Sequence, residues 1–210
     1  MIEFTEAQLK LYMNLFRGRF DIYAKRWEKA GKSGYSPAYS FDWNEFLQHK
    51  AHGGNISTFE NKRLLKLDSE AISKHLFGKH VIGIYPLLKD NTSYFIAADF
   101  DGKNWLEESK EYIRQCESVG IQSYLERSRS GNGGHVWIFF DQPYPAVKSR
   151  TFALTLLRKA FKISEFENGV SFDRLFPNQD FHSNKGFGNL IALPLQGKSI
   201  EQSNSLFYDK

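Results

Sequence analysis

Apolar side chains at Leu9, Tyr12, Met13, Phe16, Phe20, Tyr23 and Trp27 recur every three or four residues. That spacing predicts a helix running to the glycines of Gly31-Lys32-Ser33-Gly34. Thr5 with Gln8 three residues on has the form of a capping box at its start. Residues 35–60 lose this rhythm and gain turn formers, including Gly53-Gly54-Asn55, so they predict irregular structure with short elements. A helical pattern returns over 64–77 and is closed by Gly78.

From Val81 the period changes. Apolar runs at 81–88 and 94–100, bounded by Lys-Asp-Asn and Asp-Gly, predict two strands forming a hairpin or a neighbouring pair. Trp105, Tyr112, Cys116 and Val119 mark a helix ended by Gly120, followed by strands at 121–126 and 135–140. Val147, Leu154, Leu157 and Phe161 define a helix over 146–161, and 190–195 predicts a last strand after a long irregular stretch. The order from Tyr94 onward is strand, helix, strand, strand, helix, strand. It predicts an α+β fold with a ferredoxin-like or RNA-recognition-motif-like βαββαβ core. The expected division is a helical or mixed module over 1–80 and the core over 81–210. In such a sheet the first and third strands are central and antiparallel, and the fourth flanks the first. The end of the first strand then lies beside the start of the third and the approach to the fourth.

Two stretches at those places carry chemistry. Ala98-Asp99-Phe100-Asp101 ends a strand in two aspartates spaced i, i+2, which puts both carboxylates on one face. Ser130-Gly131-Asn132-Gly133-Gly134-His135 is a glycine-rich bend feeding a histidine into the next strand. Two acids on one face repel unless a cation sits between them, and Mg²⁺ or Mn²⁺ takes carboxylate oxygens while keeping positions open for phosphates. Asp173 offers a third carboxylate from the stretch before the last strand, completing a two-metal site. Glycine amides at Gly133 and Gly134, with Ser130, His135, Arg129 and Lys185, are candidates for binding a triphosphate. Arg17, Arg19 and Arg26 are candidates for nucleic-acid phosphates.

Composition narrows the classes. The 210 residues, 41% hydrophobic with 19 Phe and 10 Tyr, suit one substantial core. A net charge of +4 is a mild lean toward polyanions. No apolar run approaches the roughly 18 residues of a membrane span, and no secretory pattern opens the chain. Cys116 is the only cysteine, which excludes an internal disulfide and a thiolate zinc site and suits a reducing cytoplasm. His49 and His52 are three apart but have no further ligand beside them, so they read as structural. Gly31-Lys32-Ser33 resembles the end of a phosphate-binding loop, yet Arg26 stands where the leading glycine belongs, which argues against ATP hydrolysis.

At these residues the chain resembles the archaeo-eukaryotic primases, the primase-polymerase superfamily. Asp99 with Asp101, Ser130 through His135, and Asp173 match its three motifs in order. It is similar in particular to the primase domain of TOTE conflict systems. That likeness rests on Leu15-Phe16-Arg17-Gly18-Arg19, Gly31-Lys32-Ser33-Gly34-Tyr35-Ser36-Pro37, Ile82-Gly83-Ile84-Tyr85-Pro86-Leu87-Leu88, Phe176-Pro177-Asn178-Gln179 and Gly188-Asn189-Leu190-Ile191-Ala192-Leu193-Pro194. The resemblance implies a DNA primase-polymerase that transfers nucleotides from dNTPs or NTPs to a primer or initiating nucleotide. It also implies Mg²⁺ or Mn²⁺ as cofactor, single-stranded or primed DNA as template, and a longer protein carrying or recruiting a helicase. Relatives often carry a cysteine cluster suggestive of zinc, but residues 38–80 contain no cysteine. No zinc is expected, and primer extension is implied more firmly than unprimed initiation. Two other classes fit the same acids: a metal-dependent nuclease, and a silent single-strand-binding module.

Overall fold

The computed structural model describes residues 4–162, 171–183 and 186–209. Its elements run α1 (Glu6–Leu15), β1 (Ala24–Lys29), β2 (Lys32–Pro37), β3 (Tyr39–Phe41), α2 (Trp43–Ala51), β4 (Lys62–Leu64), α3 (Ser69–Leu76), β5 (Ile82–Ile84), β6 (Thr92–Asp101), α4 (Trp105–Ser118), β7 (Tyr124–Arg127), β8 (Gly133–Pro145), α5 (Ala146–Phe161), β9 (Phe172–Phe176), β10 (Ile191–Ala192) and α6 (Gly197–Ile200). They form two antiparallel four-stranded sheets, ordered β10-β5-β1-β2 and β7-β8-β6-β9, and a small β3-β4 ribbon. The first sheet draws strands from both sides of residue 80.

The N-terminal helix is shorter than its periodicity predicts. The Thr5 capping box forms, but the helix stops at Leu15, and residues 24–37 are a β-hairpin. Two features break the helix. A β-carbon at Gly18 would lie 2.7 Å from the Tyr85 carbonyl oxygen, so the chain passes close against another backbone there. Ala30 and Gly31 both adopt positive φ (49° and 74°), the two-residue turn whose twist matches a hairpin. The helix over 64–77 likewise begins only at Ser69, where Asp68 caps it by accepting the Ala71 N–H, while Lys62–Leu64 pairs as a strand with β3. Within 35–60, Asp42 caps a further helix, α2.

The runs at 81–88 and 94–100 do not pair with each other. β5 joins the first sheet between β1 and β10, and β6 lies in the second. The stretch at 190–195 is also corrected: only Ile191–Ala192 is strand, and it pairs with β5. The strand flanking β6 is β9. The second sheet therefore has the expected order, with its first and third strands central and its fourth beside the first.

Alternation along β6 and β8 fixes which side each residue takes. Ile96, Ala98, Phe100, Val136 and Ile138 face α4 and α5 in one core cluster. Phe95, Ala97 and Trp137 face α1, α3 and the first sheet in the other. Burying a Phe-sized side chain contributes about 1.5–3 kcal/mol, and Phe95, Phe100 and Trp137 are all fully buried. A one-residue slip of β6 would forfeit several such contributions together, so the face carrying Asp99 and Asp101 is strongly specified.

Candidate active site

One row of residues crosses the second sheet. Glu126 on β7 stands opposite His135 on β8, His135 opposite Asp99 on β6, and Asp99 opposite Arg174 on β9. The row reads acid, imidazole, acid, guanidinium. It lies on the face of Ala97 and Trp137, two residues beyond where the core covers that face.

The third acid arrives through a bulge. Asp99 pairs with Arg174 and Phe100 with Phe172, so Asp173 is an extra residue without a partner on β6. In regular register Asp173 would oppose Phe100 and take its buried face. The bulge re-aims it instead. Carboxylate oxygens of Asp99, Asp101 and Asp173 come within 4.8 Å of one another, Asp99 half-buried and the other two exposed. Burial, reinforced by the charges of Asp101 and Asp173, pushes the Asp99 carboxyl up to about 6 against the pull of His135 and Arg174. The Arg174 Nε donates to Asp173 Oδ2 at 2.6 Å. Three hard oxygen donors beside open solvent fit Mg²⁺ or Mn²⁺ and do not suit a soft metal.

His135 is 8% exposed. Its Nδ1 lies 2.8 Å from Glu126 Oε2 and its Nε2 3.5 Å from Asp99 Oδ1. Burial alone would lower its pKa, but the Glu126 carboxylate and its hydrogen bond, with Asp99 and Asp101, outweigh that and raise it to about 9. The carboxylates on either side favour the protonated ring.

Gly133 and Gly134 are required for packing at this spot. A β-carbon at Gly133 would sit 2.3 Å from Asp101 Oδ1, and one at Gly134 2.4 Å from the Trp105 ring. The positive φ of the bend belongs to Gly131 (79°), and not to Asn132-Gly133 as a two-residue turn would have it. Ser130 is exposed at the tip, its Oγ 3.2 Å from that of Ser128.

A family model for the archaeo-eukaryotic primase domain of TOTE conflict systems matches residues 7–210. The chain belongs to that family. No curated protein matches it.

The remaining predicted positions of this primase-family domain fall in different places. Arg129 lines a cleft of about 420 Å³ together with Arg26, Glu28, Lys79, His80 and Lys198, and Arg26 is paired there with Glu28 at 3.0 Å. Arg26 lies over the Tyr35 ring at 5.9 Å and the charges of both Arg26 and Arg129 act on the Tyr35 hydroxyl, so the structure brings together two residues that the sequence assigns to different ligands. Arg19 is buried and turned inward. Its guanidinium grips both Asp21 carboxylate oxygens, at 2.9 and 2.7 Å, and meets His182 Nε2 at 3.2 Å, so it does not reach outward toward a strand of nucleic acid. Arg17 lies over the Tyr94 ring at 3.9 Å. Lys185 lies outside the described residues. His49 and His52 bond Thr58 and the Gln48 carbonyl respectively, consistent with a structural reading. No described helix is long and apolar enough to cross a membrane.

Sequence reasoning missed Glu126 and Arg174. An acid inside the apolar strand ending at 126 was the available signal for Glu126, since the expected topology sets that strand beside His135. Arg174 had only its adjacency to Asp173.

Proposed function

We propose that this domain is a template-directed primase-polymerase, built on an RNA-recognition-motif-like core from residue 81 onward with the N-terminal module packed on it. The observation that carries the reading is the bulge-directed meeting of Asp99, Asp101 and Asp173 beside His135. Those three carboxylates would hold two divalent cations, whose chemistry is to favour ionisation of a primer 3′-hydroxyl and to neutralise a leaving pyrophosphate. Asp99 and Asp101 set the position of the reacting centre from the rigid end of a central strand. His135 Nε2 faces the same space and donates to the incoming triphosphate, with Ser130 and the Gly133 and Gly134 backbone lining its approach. Arg26 and Arg129 supply a cationic wall for phosphates of the triphosphate or template, and Arg17 a further contact for the template strand.

The test is extension of a labelled primer on a DNA template with dNTPs or NTPs and Mn²⁺. Extension by the wild type that disappears in an Asp99→Ala/Asp101→Ala variant supports the reading. Shortening of the primer would assign a nuclease, and full activity in the double variant would place the chemistry elsewhere.

A further inference from the structure

We propose that Glu126 is a positioning residue that fixes the His135 imidazole so that Nε2 is presented to the carboxylate cluster. The assignment of His135 to the nucleotide rests on the function proposed above; the orientation of its ring by Glu126 does not.

Glu126 is 1% exposed, on the strand at the edge of the second sheet. That edge is closed by the C-terminal segment: Arg127 N–H donates to the Leu206 carbonyl, Tyr208 N–H to the Leu125 carbonyl, and Glu126 bridges Phe207. The carboxylate is sealed from solvent and from any ligand. Burying an acid without a partner is strongly unfavourable. Among the described residues His135 is its one ion-pair partner. A single oxygen, Oε2, accepts from His135 Nδ1 at 2.8 Å and from Trp137 Nε1 at 3.0 Å.

Each bond constrains the next. Trp137 is fully buried, so its indole N–H is a fixed donor that sets where Glu126 Oε2 lies. That oxygen in turn commits His135 Nδ1, and the ring cannot turn over without breaking the bond. Nε2 is thereby left toward Asp99, 3.5 Å away. Acids that orient metal-bound histidines from behind in this way typically cost about 10- to 100-fold in metal affinity or activity when removed, and the low end of that range is the expected effect here. The chain from indole to carboxylate to imidazole follows the sheet's own register, because Glu126 opposes His135 and His135 opposes Asp99.

The decisive experiment is a double-mutant cycle on the full chain, reading binding of an α,β-imido-dNTP with Mn²⁺ by calorimetry, with circular dichroism as the check on folding. Glu126→Gln is expected to weaken nucleotide binding about tenfold while leaving Mn²⁺ binding alone unchanged. In a His135→Gln background the same change is expected to have no further effect. Additive losses would overturn the proposal, since Glu126 would then act independently of the histidine. A second readout does not depend on nucleotide binding. In ¹H–¹⁵N spectra of the imidazole, the His135 Nδ1 proton should be hydrogen-bonded in the wild type and should lose that signature in Glu126→Gln. An unchanged spectrum overturns the assignment. If His135→Gln binds nucleotide as the wild type does, the role given to His135 fails and the spectrum alone decides the role of Glu126. Trp137→Phe, which removes the second donor together with part of the buried indole, should shift the same signal in the same direction in a variant whose circular dichroism matches the wild type; no shift would contradict the chain of constraint.

Discussion

Two histidines are buried in this domain, and they sit in opposite chemical states. His75, on α3, has no exposed surface; its Nε2 meets the Pro194 carbonyl at 2.9 Å and its Nδ1 accepts the Ile82 N–H at 3.1 Å. Both ring nitrogens are satisfied by backbone, one as donor and one as acceptor, which only the neutral ring can do. Burial pulls its pKa down to about 4 against those backbone bonds. His135 lies between two carboxylates and is held near 9. Burial acts on both in the same direction, so what separates them is the partner. Backbone partners make a histidine a strut between elements, here α3, β5 and the segment after β10. Carboxylate partners on the same face as an acidic cluster favour the protonated ring and turn its Nε2 toward that cluster.

Substitution should separate the two roles. His135→Gln keeps a donor toward Glu126, and its expected effect is a loss of primer extension of about 10²- to 10³-fold with the fold retained, as for removal of one fixed donor to a reacting phosphate. The measurement is single-nucleotide extension under saturating primer. His75→Ala should leave extension per folded molecule unchanged. It strands the Ile82 N–H in the core at a cost of about 1–3 kcal/mol, while the Pro194 carbonyl keeps the hydroxyl of Tyr12 as donor. Urea titration of that variant should show a lower midpoint, and an undiminished midpoint would remove His75 from its structural role.

The pH dependence of stability follows from the same contrast. His75 has a folded pKa near 4 and an unfolded one near 6.5, so between those values the unfolded chain binds more protons. Its contribution to stability is complete above about pH 6.5 and declines as pH falls toward 4. Asp99, raised to about 6 when folded, slopes the other way over part of that range. The difference between wild type and His75→Gln isolates the histidine: the gap in unfolding free energy should shrink as pH drops from 7 to 5. A gap that stays constant would mean the ring titrates alike in both states.

Smaller effects sharpen the picture. Gly133→Ala puts a methyl against Asp101 Oδ1, and is expected to cost about 1–3 kcal/mol as overpacking together with part of the metal affinity. Lys74→Ala removes an exposed ion pair with Glu70 one turn away on the same helix as His75. It should change stability by less than about 0.5 kcal/mol, which makes it the control for His75→Ala.

The sequence revealed the second sheet far better than the first. β6, β8 and α5 are long, alternate or repeat cleanly, and follow one another in the chain, so local pattern determines them. β5 and β10 are strands of three and two residues that owe their pairing to segments more than a hundred residues apart. No local signal announces such a pair. The hairpin at 24–37 hid behind an apolar spacing that also suits a helix, and only the close approach at Gly18 and the turn at Ala30-Gly31 reject it. Within the site, Asp99, Asp101 and His135 were legible because strand alternation and strand order suffice to place them. Asp173 was anticipated at the right edge, but the bulge that turns it toward the others depends on register, which sequence does not display. Glu126 stayed hidden because an isolated acid in a short strand is ordinarily read as solvent-facing.

The central claim is that Asp99, Asp101 and Asp173 together hold divalent cations at the head of β6. Anomalous diffraction from crystals grown with Mn²⁺ and a non-reactive dNTP analogue tests it most directly. The account predicts manganese peaks with carboxylate oxygens of all three residues about 2.0–2.3 Å away and the analogue's phosphates on the His135 side. Manganese bound elsewhere, or bound without Asp173, would contradict it.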